Sequence, residues 1–214
     1  MMKRFVYLAM FLTIMSFVFI SNASAVLLDF ESPLPGGLVP VVYTSGTPVP
    51  SSAILTDQYS NLGIIFKDVA LIKLGITHAA SGYNGIGGIN SSGNVDYSVP
   101  MTFNFSSPID YFSVTTDKWA SGGNSMELFA YALDGSLIGS TLFSEIRYSG
   151  SIKVELKDIG MFHSVVIDEV RNVGGIALDL VEFNKVSPVP EPTTIFLLSS
   201  GLVGIIGFRR KFKK

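Results

Sequence analysis

The middle of this chain predicts an all-β fold, an antiparallel β-sandwich of jelly-roll type. Three observations carry that prediction. Short runs rich in β-branched and aromatic residues alternate in polarity. Clusters of Gly, Pro, Asn, Asp and Ser separate those runs. From Val26 to Asn184 almost no helical period is sustained. About ten such runs in one domain favour two packed antiparallel sheets.

The elements follow in order. Leu27–Glu31 opens as a strand. Leu34–Ser52 holds Pro35, Pro40, Pro48 and Pro50, and proline cannot donate to a ladder, so this stretch is expected to wrap the sandwich as an irregular crossing. Gly63–Phe66 and Val69–Leu74 are the next strands. Gly82–Gly93, rich in Gly, Asn and Ser, is expected as a long surface loop. It lacks a lysine and a following helical pattern, which excludes a phosphate-binding glycine loop. Met101, Phe103 and Phe105 alternate with Thr102 and Asn104; Pro108 is expected to end that strand and lead into Tyr111–Thr115. Met126, Leu128 and Ala130 form an apolar face opposed by Glu127, Phe129 and Tyr131. Asp134-Gly135 predicts a hairpin into Leu137–Phe143, with both turn positions suited to positive φ. Ile152, Val154 and Leu156 alternate with Lys153 and Glu155, and strands at Ser164–Asp168 and Ile176–Phe183 complete the body.

The two ends read as transit segments. Lys3 and Arg4 precede the apolar stretch Phe5–Ile20, and Ala23-Ser24-Ala25 supplies small residues for cleavage. Residues 1–25 therefore read as a signal peptide with an N-terminal helix, exported by the Sec machinery and cut by signal peptidase between Ala25 and Val26. At the other end, residues 188–214 divide into Val189-Pro190-Glu191-Pro192, the apolar run Thr193–Phe208, and a basic tail, Arg209–Lys214. A helix over that run spans roughly 24 Å, a little short of a hydrocarbon core of about 30 Å, which snorkelling Arg and Lys can accommodate. It is expected as a C-terminal transmembrane helix with its basic tail cytoplasmic.

The domain itself is 26–187. Seven of the chain's 15 Lys and Arg lie in the end segments against one of its 17 Asp and Glu, so the body carries a charge near −8. That balance excludes a nucleic-acid or anionic-lipid partner. Without cysteine the body has no disulfides, and packing or a bound ion must stabilise it.

Val189-Pro190-Glu191-Pro192, the glycines Gly201, Gly204 and Gly207 in the apolar run, and Arg209-Arg210-Lys211 closely resemble the PEP-CTERM sorting signal of bacterial surface proteins, also called the ice-binding-protein C-terminal motif. The resemblance implies handling by an exosortase, transient residence in the inner membrane, and release or transfer to the cell surface or extracellular matrix. Family members tend to occur in bacteria that make exopolysaccharide and biofilm. The body is similar, more loosely, to galactose-binding-like β-sandwiches. The residues concerned are Leu28-Asp29-Phe30-Glu31, Gln58-Tyr59 with Gly63–Phe66, Pro108–Val114, Ala132–Gly135 and Ile176–Phe183.

In similar carbohydrate-binding jelly rolls, acidic residues of the first and last strands meet at one edge. Here the resemblance implies a structural Ca²⁺ between Glu31 (or Asp29) and Asp179, whose hard oxygens suit that ion. Trp119, the only tryptophan, sits among Asp117 and Asn124 and is placed to stack on a sugar ring or, equally, to cap the sandwich edge. Tyr83, beside Asn84, is a further carbohydrate candidate. No catalytic residue is expected. His78 and His163 lack paired-ligand spacing, there is no cysteine nucleophile or Gly-x-Ser-x-Gly elbow, and only Asp168-Glu169 or Asp179 with Glu182 could form a glycosidase pair. The expectation is a non-enzymatic surface or matrix protein that binds or organises exopolysaccharide. The alternatives are a purely structural self-associating protein and a secreted glycan hydrolase.

Overall fold

The computed structural model describes residues 24–185 apart from 32, 43, 75–79, 97, 117–123, 147–149 and 172–176. These belong to one compact unit, Ala23–Val186. Thirteen strands are described: β1 (Ser24–Leu28), β2 (Val41–Val42), β3 (Ile54–Leu55), β4 (Ile64–Lys67), β5 (Val69–Lys73), β6 (Asn84–Gly88), β7 (Met101–Ile109), β8 (Phe112–Thr116), β9 (Asn124–Tyr131), β10 (Leu137–Ile146), β11 (Lys153–Leu156), β12 (Phe162–Arg171) and β13 (Leu178–Lys185). Short 3₁₀ turns are the only helical elements among the described residues, and none is long and apolar enough to cross a membrane. Both expected terminal helices lie outside the described residues.

Two sheets form the sandwich. The larger runs β11-β8-β13-β6-β5-β2, with β1 added to β13 and β3 to β5; the smaller runs β10-β9-β12-β7-β4. Every pairing is antiparallel except β2 with β5. The period-two pattern sets which side chains meet. Met101, Phe103, Met126, Leu128, Val165 and Ile167 of the smaller sheet are buried against Phe112, Val114, Val154, Leu156, Val181 and Phe183 of the larger. Aromatic rings thread this core: Phe30, Tyr59, Phe66, Phe103, Phe112, Phe105 and Phe183 follow one another edge-on or tilted, with centroids 5.1 to 6.2 Å apart.

The proline-bearing stretch Leu34–Ser52 does cross the outside. Its Val41 and Val49 pack with Ile89 over Ala70, Ile72 and Leu74, so β5 is buried on both faces and reads as a continuous apolar run.

Four readings are corrected. The expected surface loop Gly82–Gly93 instead contains β6, Asn84–Gly88, buried throughout between β5 and β13. The reason lies in the glycines: a Cβ on Gly85 would come within 2.5 Å of the Leu178 carbonyl, and one on Gly88 within 2.6 Å of the Asp96 and Val99 carbonyls. Backbone approaches too closely there for a side chain. The first strand stops at Leu28 rather than Glu31, because Phe30 takes φ 55° and turns its ring into the core. Pro108 does not end its strand: β7 continues to Ile109 across a register shift against β12, where a proline is tolerated. At the β9–β10 hairpin only Gly135 has positive φ (83°). Asp134 instead accepts the Ser136 N–H and hydroxyl, and Ala132 pairs with Ser136 across a three-residue turn.

Candidate functional site

Strand ends decide what can meet. β8 leaves its sheet at Thr116, opposite Leu178, the first residue of β13. β9 begins at Asn124 opposite Ile146, where β10 ends, and Ser125 faces Arg171, where β12 ends. The connections 117–123, 147–152 and 172–177 are therefore all attached at one end of the sandwich. Trp119 and Asp117 belong to the first of them and lie outside the described residues; so do His78, Ala23, the motif residues Val189, Pro190, Glu191 and Pro192, and Arg209, Arg210 and Lys211. Asn124 is placed as the first residue of β9.

At this same end two carboxylates grip one segment. Glu31 Oε1 accepts the N–H groups of Tyr83 (2.7 Å) and Asn84 (2.9 Å), while Asn84 Nδ2 donates to Glu31 Oε2 (3.3 Å) and to the Phe30 carbonyl (3.1 Å). Asp179 accepts the Ser81 N–H and the Ser81 hydroxyl, each at 2.6 Å. Gly82 lies between them, and any Cβ there would run into the Glu31 carboxylate. Asp179 is fully buried. Burial raises its carboxyl above the ordinary range, the Ser81 donors pull the other way, and the nearby Glu31 charge adds to the rise.

Glu31 and Asp179 are thus brought to one place, as expected from opposite ends of the sequence. Asp29 is not part of their clamp. Its Oδ1 accepts the Glu31 N–H at 3.1 Å, and its charge assists burial in pushing the Tyr59 hydroxyl up to about 12. The donor set of Glu31 and Asp179 is the hard-oxygen type that suits Ca²⁺, although each of these oxygens also accepts an N–H or O–H from segment 81–84. No group of three or more His, Cys, Asp or Glu poised for a metal occurs among the described residues. Tyr83 stands at the rim, 51% exposed. Sequence reading missed Ser81 and undervalued Asn84. The available signal was the run Ser81-Gly82-Tyr83-Asn84, a hydroxyl and an amide donor spaced about a glycine and a tyrosine just ahead of a strand.

The other acidic candidates have separate surroundings. Glu182 lies on the outer face of the larger sheet, 2.8 Å from Lys153, which also approaches Glu155 (3.4 Å) and stacks over Tyr111. Asp168 stands in β12 directly opposite Glu127. His163 is a half-buried residue of β12. Toward the opposite end, an open groove of about 640 Å³ is lined by Asp110, Tyr111, Lys157, Asp158, Gly160 and Met161.

Fold and geometry define the class first: a cysteine-free β-sandwich in which the buried Asp179 and the partly exposed Glu31 hold segment 81–84 at one end. The flanking segment then adds the address. Residues 188–211 match the PEP-CTERM protein-sorting motif, which marks the chain for exosortase-dependent sorting toward the cell surface. No curated protein matches the chain. Among solved structures it is similar to a DUF4465 family protein from Bacteroides caccae, at 14% identity over 76% of this chain and 97% of that one, with a TM-score of 0.44. It is also similar to the family 32 carbohydrate-binding module of C. perfringens NanJ in complex with galactose, at 11% identity over 76% and 93%, with a TM-score of 0.34. Both are likenesses of strand arrangement.

Proposed function

We propose that this is a non-catalytic protein of the cell surface or extracellular matrix whose sandwich binds or organises exopolysaccharide. The observation that supports the reading is the sorting motif at 188–211, joined to a sandwich that attaches the Trp119-bearing connection 117–123 and holds the Glu31–Asp179 clamp at one and the same end. Calorimetry of the protein with the producer's own exopolysaccharide tests it: saturable binding is expected, weakened by Trp119→Ala, and no heat at any concentration overturns it. For delivery, Glu191→Ala is expected to hold the protein in the inner membrane, and normal release on fractionation would overturn the sorting step.

Structural Ca²⁺ belongs to the same proposal. Glu31 and Asp179 would hold it, and the ion would neutralise two carboxylates that otherwise repel one another across a buried end. Calcium is expected to raise the melting temperature of the wild type and to leave Asp179→Asn unmoved; identical responses of the two overturn it.

A further inference from the structure

The two outer faces of the sandwich differ. On the larger sheet, Val41, Val49 and Ile89 cover one part, and the Lys153–Glu155–Glu182 ion pairs occupy another. No described element covers the outer face of the smaller sheet. An exposed antiparallel face is normally polar. Here β9 presents Phe129 and Tyr131 to it, both partly exposed, and Ile65 (41% exposed) and Leu142 (57%) lie further out. Nothing in the fold requires aromatics there, because Met126, Leu128 and Ala130 already supply the inward face of the same strand.

The registers show what surrounds them. Phe129 stands between Ser140 and Val166, and Tyr131 is opposite Ser164, which is itself opposite Asn104. Rings flanked by hydroxyl and amide groups suit the apolar face and hydroxyl edge of a sugar. Along β9 the outward residues Glu127, Phe129 and Tyr131 follow at steps of about 6.8 Å, so an extended chain can meet all three.

Charge then narrows the ligand. Glu127 is directly opposite Asp168 on this face, and like charges so placed repel. Among the described side chains the ion pairs use Lys153 and Lys157, and none of those pairs involves Glu127 or Asp168. A protonated amine on the ligand would relieve that repulsion through charge-assisted hydrogen bonds and would also favour the neighbouring aromatic face. A uronate would be repelled.

We propose that the outer face of the β10-β9-β12-β7-β4 sheet is a polysaccharide-binding platform selective for glycans that carry free amino groups. It rests on the polysaccharide-binding reading above and assigns a site and a charge class to it. The test is calorimetry of the full chain in detergent with three oligosaccharides: partially deacetylated chitin, fully N-acetylated chitin of the same length, and alginate. Binding is expected in that order, with alginate inert. Glu127→Gln with Asp168→Asn, which removes charge and keeps shape, is expected to weaken the deacetylated ligand by about tenfold while leaving the acetylated one unchanged. Phe129→Ala with Tyr131→Ala is expected to weaken both ligands, with the melting temperature recording that each variant is folded. Unchanged affinity in the charge variant, or alginate binding as tight as the deacetylated chain, overturns the proposal. So does a Phe129/Tyr131 variant that changes only the oligomeric state, which would make the face a self-association surface. If the protein ignores all three probes yet binds the producer's exopolysaccharide, this inference fails and the functional reading stands; if it binds neither, both fail.

Discussion

Replacing Asp179 tests the carboxylate clamp most directly. In Asp179→Ala the Ser81 N–H and hydroxyl lose their acceptors, each of them a 2.6 Å bond to a buried carboxylate. Ser81 is itself exposed, so water partly replaces the acceptor, and two hydrogen bonds to a charged group, at about 1.5–3 kcal/mol each, set an upper bound on the loss. Against this, the substitution removes a buried charge that Glu31 repels, so the net loss falls to about 2–3 kcal/mol. For a domain of this size that corresponds to a melting temperature lower by roughly 4–12 °C. Asp179→Asn behaves differently. Its amide oxygen still accepts from Ser81, its N–H₂ donates to the hydroxyl, and no charge is buried, so stability at neutral pH equals or exceeds that of the wild type.

The pH dependence separates the two causes. A raised carboxyl in the folded state contributes stability that is complete below the unfolded value of about 3.9. That contribution is lost as pH rises through the higher folded value. Denaturant titrations of wild type and Asp179→Asn in a metal chelator, from acid to neutral pH, are expected to diverge over that window, with the wild type losing stability relative to the variant. Superimposable pH profiles, or an Asp179→Ala protein that melts with the wild type, would refute the clamp.

Further consequences can be measured. Gly85→Ala places a Cβ against the Leu178 carbonyl and is expected to cost about 1–3 kcal/mol, whereas Gly87→Ala meets only the Ile72 methyl at 3.3 Å and is expected to be mild; equal melting temperatures would contradict the buried β6 strand. Tyr59 resists ionisation until about pH 12, so its contribution to stability is full below 10 and lost between 10 and 12; near-ultraviolet titration of Tyr59→Phe is expected to lack that late phase. The expected cleavage between Ala25 and Val26 would remove the pairs Ser24↔Lys185 and Ala25↔Asn184 from the edge of β13. A body beginning at Ser24 is expected to melt about 2–4 °C above one beginning at Val26, the worth of about 1 kcal/mol of exposed edge pairing. Identical melting would mean that the cleaved residues hold nothing.

The strands were legible where one face is buried and the other solvated. Met101–Phe105, Met126–Tyr131 and Lys153–Leu156 show the alternation in the sequence and the same alternation in burial. Legibility failed where a different constraint ruled. β6 has almost no side chains to alternate, since Gly85, Gly87 and Gly88 are selected by the carbonyls and side chains pressed against them, and composition alone makes such a strand look like a loop. Phe30 looks like a strand residue by propensity, but its positive φ is dictated by the ring cluster it completes with Tyr59 and Phe66. Glu31 and Asp179 could be paired in advance through resemblance. Ser81 could not, because its role depends on a contact 98 positions away in sequence.

The placement of the chain's ends links fold to delivery. Ser24 and Lys185 are a register pair, so the flanking segments join the sandwich at neighbouring points on adjacent strands. Asp179 and Lys185 belong to the same strand, and six residues of extended chain separate them by about 20 Å. The clamp and the joining points therefore lie at opposite ends of one strand. Processing at either joint changes only the far edge of β13 and leaves the Ser81–Asp179 clamp intact, since the two share no hydrogen bond or register pair. The outer face of the smaller sheet is likewise built from β4, β7, β9, β10 and β12, none of which pairs with β1 or β13. A sandwich arranged in this way can fold around its core while both end segments are attached, and removing either of them would leave both candidate binding surfaces unaltered.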